Sequence, residues 1–252
     1  ELVILGAAAV PALIEALPSR DPSLPPLLKQ ILTRIGPAAT SALIKTLREA
    51  GPALCAHAAE TLGQIKDHAA LPALIDSLRS EYFAVRASAV DAIGQFQEPQ
   101  TLPHLLNMLK DAEPEVRAAA CLAIGKLRDP NNYAKLSDVL FDDPELIVRQ
   151  AAVRAFTESK DPNVLPHLID ALRDSFWWYG REQGAEPLLQ AIQSFGAQAV
   201  NPLIEALGDK EGAVRRFAAV ILGKLRDPSA LEELGMLVYD LHHEVGAVAA
   251  LA

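Results

Sequence analysis

Apolar residues recur along this chain in a pattern that repeats about every 31 residues. Each unit opens with an apolar segment of the form L-P-x-L-I-x-x-L, and successive units follow in steps of 30 to 35 residues. Such a period predicts one helical supersecondary unit copied end to end, in which each unit needs its neighbours to bury its apolar face. The first inner leucines of the units are Leu13, Leu43, Leu74, Leu105, Leu136, Leu168, Leu203 and Leu234.

Residues 101–130 show one unit in full. Pro103 stands where a first-turn proline is tolerated, and the leucines after it recur at helical spacing, which predicts a first helix, helix A. An apolar stripe from Val116 to Leu127 predicts a second helix, helix B, which a proline at position 130 ends. The predicted fold is therefore all-α: an α-solenoid (superhelix) of about eight two-helix repeats, each ~31 residues long.

Composition fits this architecture and excludes some partners. Half of the 252 residues are apolar and 5% are aromatic, which suits thin layers of helices filled by small aliphatic side chains. We expect a single domain over residues 1–252, with incomplete repeats at both ends. The net charge of -9 argues against nucleic acid as a partner, because phosphate binding depends on clustered Lys and Arg.

The cysteines and the apolar runs indicate a compartment. Cys55 and Cys121 lie two repeats apart, which places them roughly 20 Å from each other and beyond the ~7 Å Cα limit of a disulfide. Free thiols fit a reducing compartment, so we predict a cytoplasmic protein. No apolar run is long enough to cross a bilayer. The apolar opening of the chain has no basic segment and continues into the first repeat, so we interpret it as repeat sequence.

The start of helix B carries a recurring Val-Arg pair. The units resemble HEAT-like repeats of the phycobilisome-lyase type, whose pattern is P-x-V-R-x-A-A-x-x-A-L-G-x-L-x-D-P. The resemblance implies a helical solenoid and leaves the activity open, because that family includes bilin lyase subunits, phycobilisome-associated factors and scaffolds. The pairs are Val85 with Arg86, Val116 with Arg117, Val148 with Arg149, and Val214 with Arg215.

An aspartate and an arginine six residues apart recur across the turn between helices A and B. We expect the carboxylate and the guanidinium to hydrogen-bond and form a structural ladder, since a catalytic acid would be expected once rather than in repeat after repeat. The pattern predicts an interruption at repeats 2 and 3, where Cys55 and Ser80 occupy these positions. The ladder pairs are Asp111 with Arg117, Asp143 with Arg149, and Asp209 with Arg215.

One position of the repeat on helix A and one on helix B predict what the protein presents at its surface. On helix A, the position two residues after the first inner leucine is acidic in five of eight repeats, which predicts a negative, solvated face. By resemblance to HEAT solenoids, helix B lines the concave, partner-holding side. Five residues after the Val-Arg arginine, repeats 4, 5 and 7 carry Leu122, Arg154 and Val220. These side chains contact a partner, or the two apolar ones are half-buried by the neighbouring repeat.

The 35-residue step reveals an insertion at about residues 174–186 of repeat 6. It contains both tryptophans of the chain, and insertions in solenoids often map to the binding face. The aromatic residues either bind a partner or fold back between repeats 6 and 7. Some bilin lyase subunits carry a similar W-W-x-G-R string. The candidate residues are Phe176, Trp177, Trp178, Tyr179 and Arg181.

The sequence shows no catalytic constellation. The six histidines lack metal-ligand spacing, and the sequence has neither a nucleophile elbow nor a phosphate-binding glycine loop. We therefore expect no catalytic residue, cofactor or metal, and predict a protein-protein interaction scaffold. The alternative is a phycobilin lyase-type or phycobilisome-processing subunit that binds a bilin-bearing protein. A helical-repeat nucleic-acid enzyme is disfavoured by the acidic charge.

Overall fold

The computed structural model describes residues 6–173 and 186–252. Within these ranges every regular element is a helix, and the helices alternate between the A and B positions that the sequence predicts. The predicted all-α repeat architecture is confirmed. The chain divides into two compact units, Glu1–Leu127 and Arg128–Ala252. The single-domain expectation stays a prediction.

The first unit contains four A–B helix pairs, in which the A helices are shorter than the B helices. The A helices are α1 (Val10–Glu15), α3 (Thr40–Glu49), α5 (Leu71–Ser77) and α7 (Leu102–Met108), and the B helices are α2 (Leu24–Ile35), α4 (Pro52–Ile65), α6 (Phe83–Phe96) and α8 (Pro114–Leu127).

The second unit continues the alternation. Its A helices are α9 (Tyr133–Asp142), α11 (Leu165–Asp170), α13 (Val200–Ala206) and α15 (Leu231–Leu237), and its B helices are α10 (Leu146–Ser159), α12 (Glu186–Gln193), α14 (Gly212–Leu225) and α16 (His243–Leu251). Helix α12 begins directly after the segment that the structure does not describe.

At many boundaries between repeats, a left-handed residue is followed by a short 3₁₀ turn, and this occurs at Lys66, Gln97, Arg128, Lys160 and Arg226. Lys160, for example, has φ 55° and ends α10. The side chain of Asp161 then accepts a hydrogen bond from the Asn163 N–H at 2.9 Å, and a proline starts the 3₁₀ turn that leads into α11. This capping satisfies main-chain donors that would otherwise lack partners, and it explains why a charged residue followed by Asp-Pro closes these units.

The core is built from the repeated leucines and from small residues on the B helices. The inner leucines Leu43, Leu74 and Leu105 are fully buried. Neighbouring B helices approach so closely that a Cβ atom added at Gly94 would lie 2.6 Å from the Cβ of Ala123. Glycine and alanine at these positions therefore set the spacing between successive repeats in the first unit.

Candidate functional site

The recurring arginine of helix B binds main-chain oxygens of the preceding turn. In repeat 3, Nη1 of Arg86 donates to the Ser80 carbonyl at 2.9 Å and to the Glu81 carbonyl at 3.2 Å. Repeat 4 shows the same bond from Arg117 to the carbonyl oxygen of Asp111, at 2.9 Å. The equivalent bonds join Arg149 to the Asp143 carbonyl and Arg215 to the Asp209 carbonyl, both at 2.7 Å.

These bonds correct the predicted ladder. The six-residue spacing brings each arginine to the main-chain oxygen of its aspartate, whereas we expected a bond to the carboxylate. The carboxylate instead caps its own turn: Oδ1 of Asp111 accepts from the Glu113 N–H at 3.0 Å. Asp143 and Asp209 make the same bond to the N–H two residues later, at 3.0 and 2.9 Å.

Carboxylates that cap these turns also pair with the helix B arginine of the preceding repeat, as Asp111 and Asp240 show. Arg86 donates from Nε and Nη2 to the two oxygens of Asp111, at 2.8 and 2.7 Å. Arg215 makes the same two-bond contact with Asp240, at 2.7 and 2.9 Å. Sequence analysis missed Asp240, because the residue six positions later is Gly246 rather than an arginine. Its position in the repeat register was the available signal.

The pairs shift the acidity of their carboxylates. Hydrogen bonds from Arg215 hold the pKa of Asp240 below its usual value. At Asp111, burial works to raise the pKa, but the bonds from Arg86 and the Glu113 N–H outweigh it, so the pKa of Asp111 is also lowered. The recurring charged residues thus stabilise turns and repeat contacts.

The pair that would join repeat 2 to repeat 3 lacks both of its members. Cys55 stands in place of the arginine, and its Sγ donates to the carbonyl oxygens of Ala50 and Leu47 at 3.2 and 3.3 Å. Ser80 stands in place of the aspartate. A cavity of about 330 Å³ is lined by both side chains. The thiol is free and buried, and burial raises the pKa of Cys55.

The three predicted helix B residues lie in different settings. Leu122 and Val220 are half-buried, whereas Arg154 is exposed. Arg154 lies beside a groove of about 500 Å³ between α10 and α12, together with Val153, Pro187 and Ala191. Val220 lines a separate groove of about 610 Å³ between α14 and α16.

The predicted aromatic cluster lies outside the described residues. The structure therefore places none of its members, which are Phe176, Trp177, Trp178, Tyr179 and Arg181. The described chain resumes at Glu186, and Pro187 in the first turn of α12 already lines the groove that holds Arg154.

A sequence-family model describing HEAT repeats matches residues 10–92, 74–157, 102–189 and 185–252. The chain belongs to the HEAT repeat family. No curated protein sequence matches it significantly.

Several solved structures resemble this HEAT repeat chain. The complex of CpcE and CpcF of phycocyanin lyase from Nostoc sp. PCC7120 contains a similar chain, with 25% identity, a TM-score of 0.54, and coverage of 59% of this chain and 98% of that one. YibA of E. coli is 21% identical, with a TM-score of 0.61 and coverage of 95% and 90%. The karyopherin Kap121p is 16% identical, with a TM-score of 0.60 and coverage of 96% and 32%.

The described part of this HEAT repeat chain contains no cluster of three or more His, Cys, Asp or Glu side chains arranged to hold a metal ion. His167 makes local contacts: it stacks on the ring of Phe156 with centroids 5.7 Å apart, and its Nδ1 lies 3.1 Å from the Ser137 hydroxyl. Among the helices of residues 6–173 and 186–252, none has the length and apolar character needed to span a bilayer.

Proposed function

We propose that this HEAT repeat chain is a non-catalytic protein-binding scaffold and that the groove between α10 and α12 holds its partner. The groove itself is the observation that carries the proposal. Pro187 is exposed at this groove beside the long cationic side chain of Arg154, which is 67% exposed. The buried side chains of Val153 and Ala191 complete the lining. An exposed arginine at the edge of a groove suits partner binding, because arginine is enriched among the residues that dominate interface energy.

The state of Arg154 supports this role. Its contact with Glu158, one helical turn away, is 3.4 Å long and exposed, so it contributes little to stability. The ladder arginine Arg86, in contrast, has a side chain only 15% exposed and is held by two carboxylate bonds. A partner carboxylate therefore has a cation available at Arg154, while the ladder cations are already engaged.

The same proposal includes the aromatic insertion and the apolar members of the helix B register. Trp177 and Trp178 belong to the segment that comes directly before α12 in the sequence. Helix α12 supplies one side of the groove beside Arg154. In this proposal the insertion supplies the aromatic anchors, and Leu122 and Val220 add apolar contact on the B helices. The protein acts in the cytoplasm as one array, without cofactor, and its partner is another protein.

The test compares variants of the immobilised chain for the proteins that they retain from a lysate of the source organism. We expect Arg154→Glu, and separately the pair Trp177→Ala with Trp178→Ala, to reduce retention of one partner by about tenfold or more. The control is Arg20→Glu, a charge reversal at an exposed turn of the first unit. Equal retention by all variants would overturn the assignment of this groove. Helical content, followed by circular dichroism, should stay unchanged; its loss would identify the tryptophans as core residues.

The second candidate function is that of a phycobilin lyase-type subunit. The likeness to a chain of the CpcE–CpcF phycocyanin lyase complex favours it, since that chain is covered over 98% of its length at 25% identity. In this function the partner is a bilin-bearing protein. The test is co-expression with an acceptor phycobiliprotein subunit in cells supplied with a bilin. A chromophore that copurifies with the chain, or a bilin attached covalently to the acceptor, supports this function. A colourless chain and an unmodified acceptor argue for the scaffold.

A further inference from the structure

The A-helix side of repeats 7 and 8 contains a groove that the scaffold proposal does not use. Its volume is about 360 Å³, and residues of α13 and α15, together with the turns that follow them, line it. Met236 and Tyr239 are among them and are 65% and 89% exposed. Ile204 and Glu205 line it from α13. Met236 and Tyr239 thus give this side of repeat 8 an exposed thioether and an exposed aromatic ring.

Two positions in this groove depart from the pattern of the other repeats. Met236 occupies the register that is acidic in five of eight repeats. Tyr239 and Gly208 occupy the register five residues after the first inner leucine, where four other repeats have a basic residue. Those basic residues are Arg48, Arg79, Lys110 and Arg173. Repeats 7 and 8 thus have no basic residue at this register, and repeat 8 has the apolar side chains of Met236 and Tyr239 at the two positions.

Two carboxylates that line the groove have no cation beside them. Glu205 is exposed, and Glu233 is half-buried on α15. Neither forms an ion pair with any residue that the structure describes, and Oε2 of Glu233 is buried without a hydrogen-bond partner. Asp240 also lines the groove, but its oxygens are engaged by Arg215. An unpaired, partly desolvated carboxylate is stabilised when a cation binds beside it.

A further repeat packed beside repeat 8 would not cover this groove. Side chains two and five residues after the first inner leucine remain exposed in repeats that have neighbours on both sides. Examples are Asp76 and Arg79 in repeat 3 and Asn107 and Lys110 in repeat 4. The exposure of Met236 and Tyr239 therefore belongs to the outer face of the A helices.

We infer that this groove binds an arginine side chain presented by a segment of a partner protein. The guanidinium lies between the carboxylates of Glu205 and Glu233, and its stem and planar face lie against Met236 and Tyr239. Arginine fits better than lysine, because a planar guanidinium bonds to two carboxylates and also stacks on an aromatic ring. The charge of the protein, -9 overall, favours approach of a basic segment.

The experiment uses the methionine methyl groups as probes. The chain has two methionines: Met236 in the groove and Met108 in the first unit, which serves as an internal control. The protein, labelled with ¹³C at the methionine methyls, is titrated with a blocked pentapeptide that has arginine at its centre and glycine and serine around it. We expect a saturable shift of the Met236 signal and no shift of the Met108 signal. A matched peptide with citrulline, which lacks the charge, should leave both unchanged.

Variants assign the contact to the carboxylates. Glu205→Gln and Glu233→Gln should each weaken binding of the arginine peptide by about fivefold, whereas Glu232→Gln, an exposed neighbour outside the groove, should not. Equal shifts with the citrulline peptide would overturn the inference in favour of an apolar occupant. A Met236 shift that depends on protein concentration without peptide would overturn it in favour of self-association. Arg154 lies on another helix pair, so failure of this test and failure of the scaffold proposal are distinguishable.

Discussion

The missing Arg–Asp pair of repeats 2 and 3 can be restored by two substitutions. Cys55→Arg places a guanidinium where the other repeats bind the main-chain oxygens of the A–B turn, and Ser80→Asp supplies the carboxylate that pairs with it. The structure contains the space for this change, because a cavity of about 330 Å³ adjoins both side chains. We predict that the free energy of unfolding of the double variant is higher than the summed changes of the two single variants imply.

The magnitude follows from the intact pair of Arg86 and Asp111. That pair makes two charge-assisted bonds of 2.8 and 2.7 Å, and its side chains are 15% and 8% exposed. Directly contacting residues of this kind have interaction energies of up to about 3 kcal/mol, from which the cost of burying two charges is subtracted. We expect an interaction energy of about 1–2 kcal/mol, which corresponds to roughly 2–8 °C in Tm for a chain of this size.

The assay is a double-mutant cycle measured by urea unfolding at pH 7. The cycle compares the wild type, Cys55→Arg, Ser80→Asp and the double variant, with an unfolding probe that reports on the first unit. The control replaces Cys55→Arg by Cys55→Met, which adds a long side chain without charge and should show no interaction with Ser80→Asp. An interaction energy below about 0.5 kcal/mol, the range of independent sites, would refute the reasoning that the cavity marks a lost ion pair.

Two further predictions concern stability. Asp111→Asn should cost about 1–3 kcal/mol at pH 7. Because the folded-state pKa of Asp111 is lowered, this contribution is present above the unfolded pKa of about 4 and is lost as the pH falls through the folded pKa. In urea unfolding, the difference between variant and wild type should therefore shrink as the pH is lowered below about 4, and a difference that does not change with pH would contradict the role of the carboxylate charge. Gly94→Ala should destabilise the folded protein by about 1–3 kcal/mol, since the added Cβ would lie 2.6 Å from the Cβ of Ala123. The control Gly235→Ala, whose added Cβ meets nothing within 4 Å, should be neutral or stabilising. Equal thermal midpoints for the two variants would contradict the close packing at Gly94.

The sequence determined the fold class and the local structure of the repeats. Leucine spacing identified the helices, because helical periodicity is a local property of the chain. The charged residue followed by Asp-Pro marked the repeat boundaries, where Lys160 adopts φ 55° and Asp161 caps the next turn. The arginine and aspartate of each ladder repeat were also visible from their spacing.

Only the tertiary structure decided which atoms these charged groups contact. An arginine six residues after an aspartate, across one turn, reaches the main-chain oxygen of that aspartate, as Arg117 reaches Asp111. The carboxylate of the aspartate can then bind an arginine 25 residues earlier in the chain, as Asp111 binds Arg86. Repeat packing likewise made Leu122 half-buried and left Arg154 exposed beside a groove. It also left Met236 and Tyr239 uncovered next to unpaired carboxylates. Such contacts depend on the stacking of whole helices, which a one-dimensional pattern does not encode.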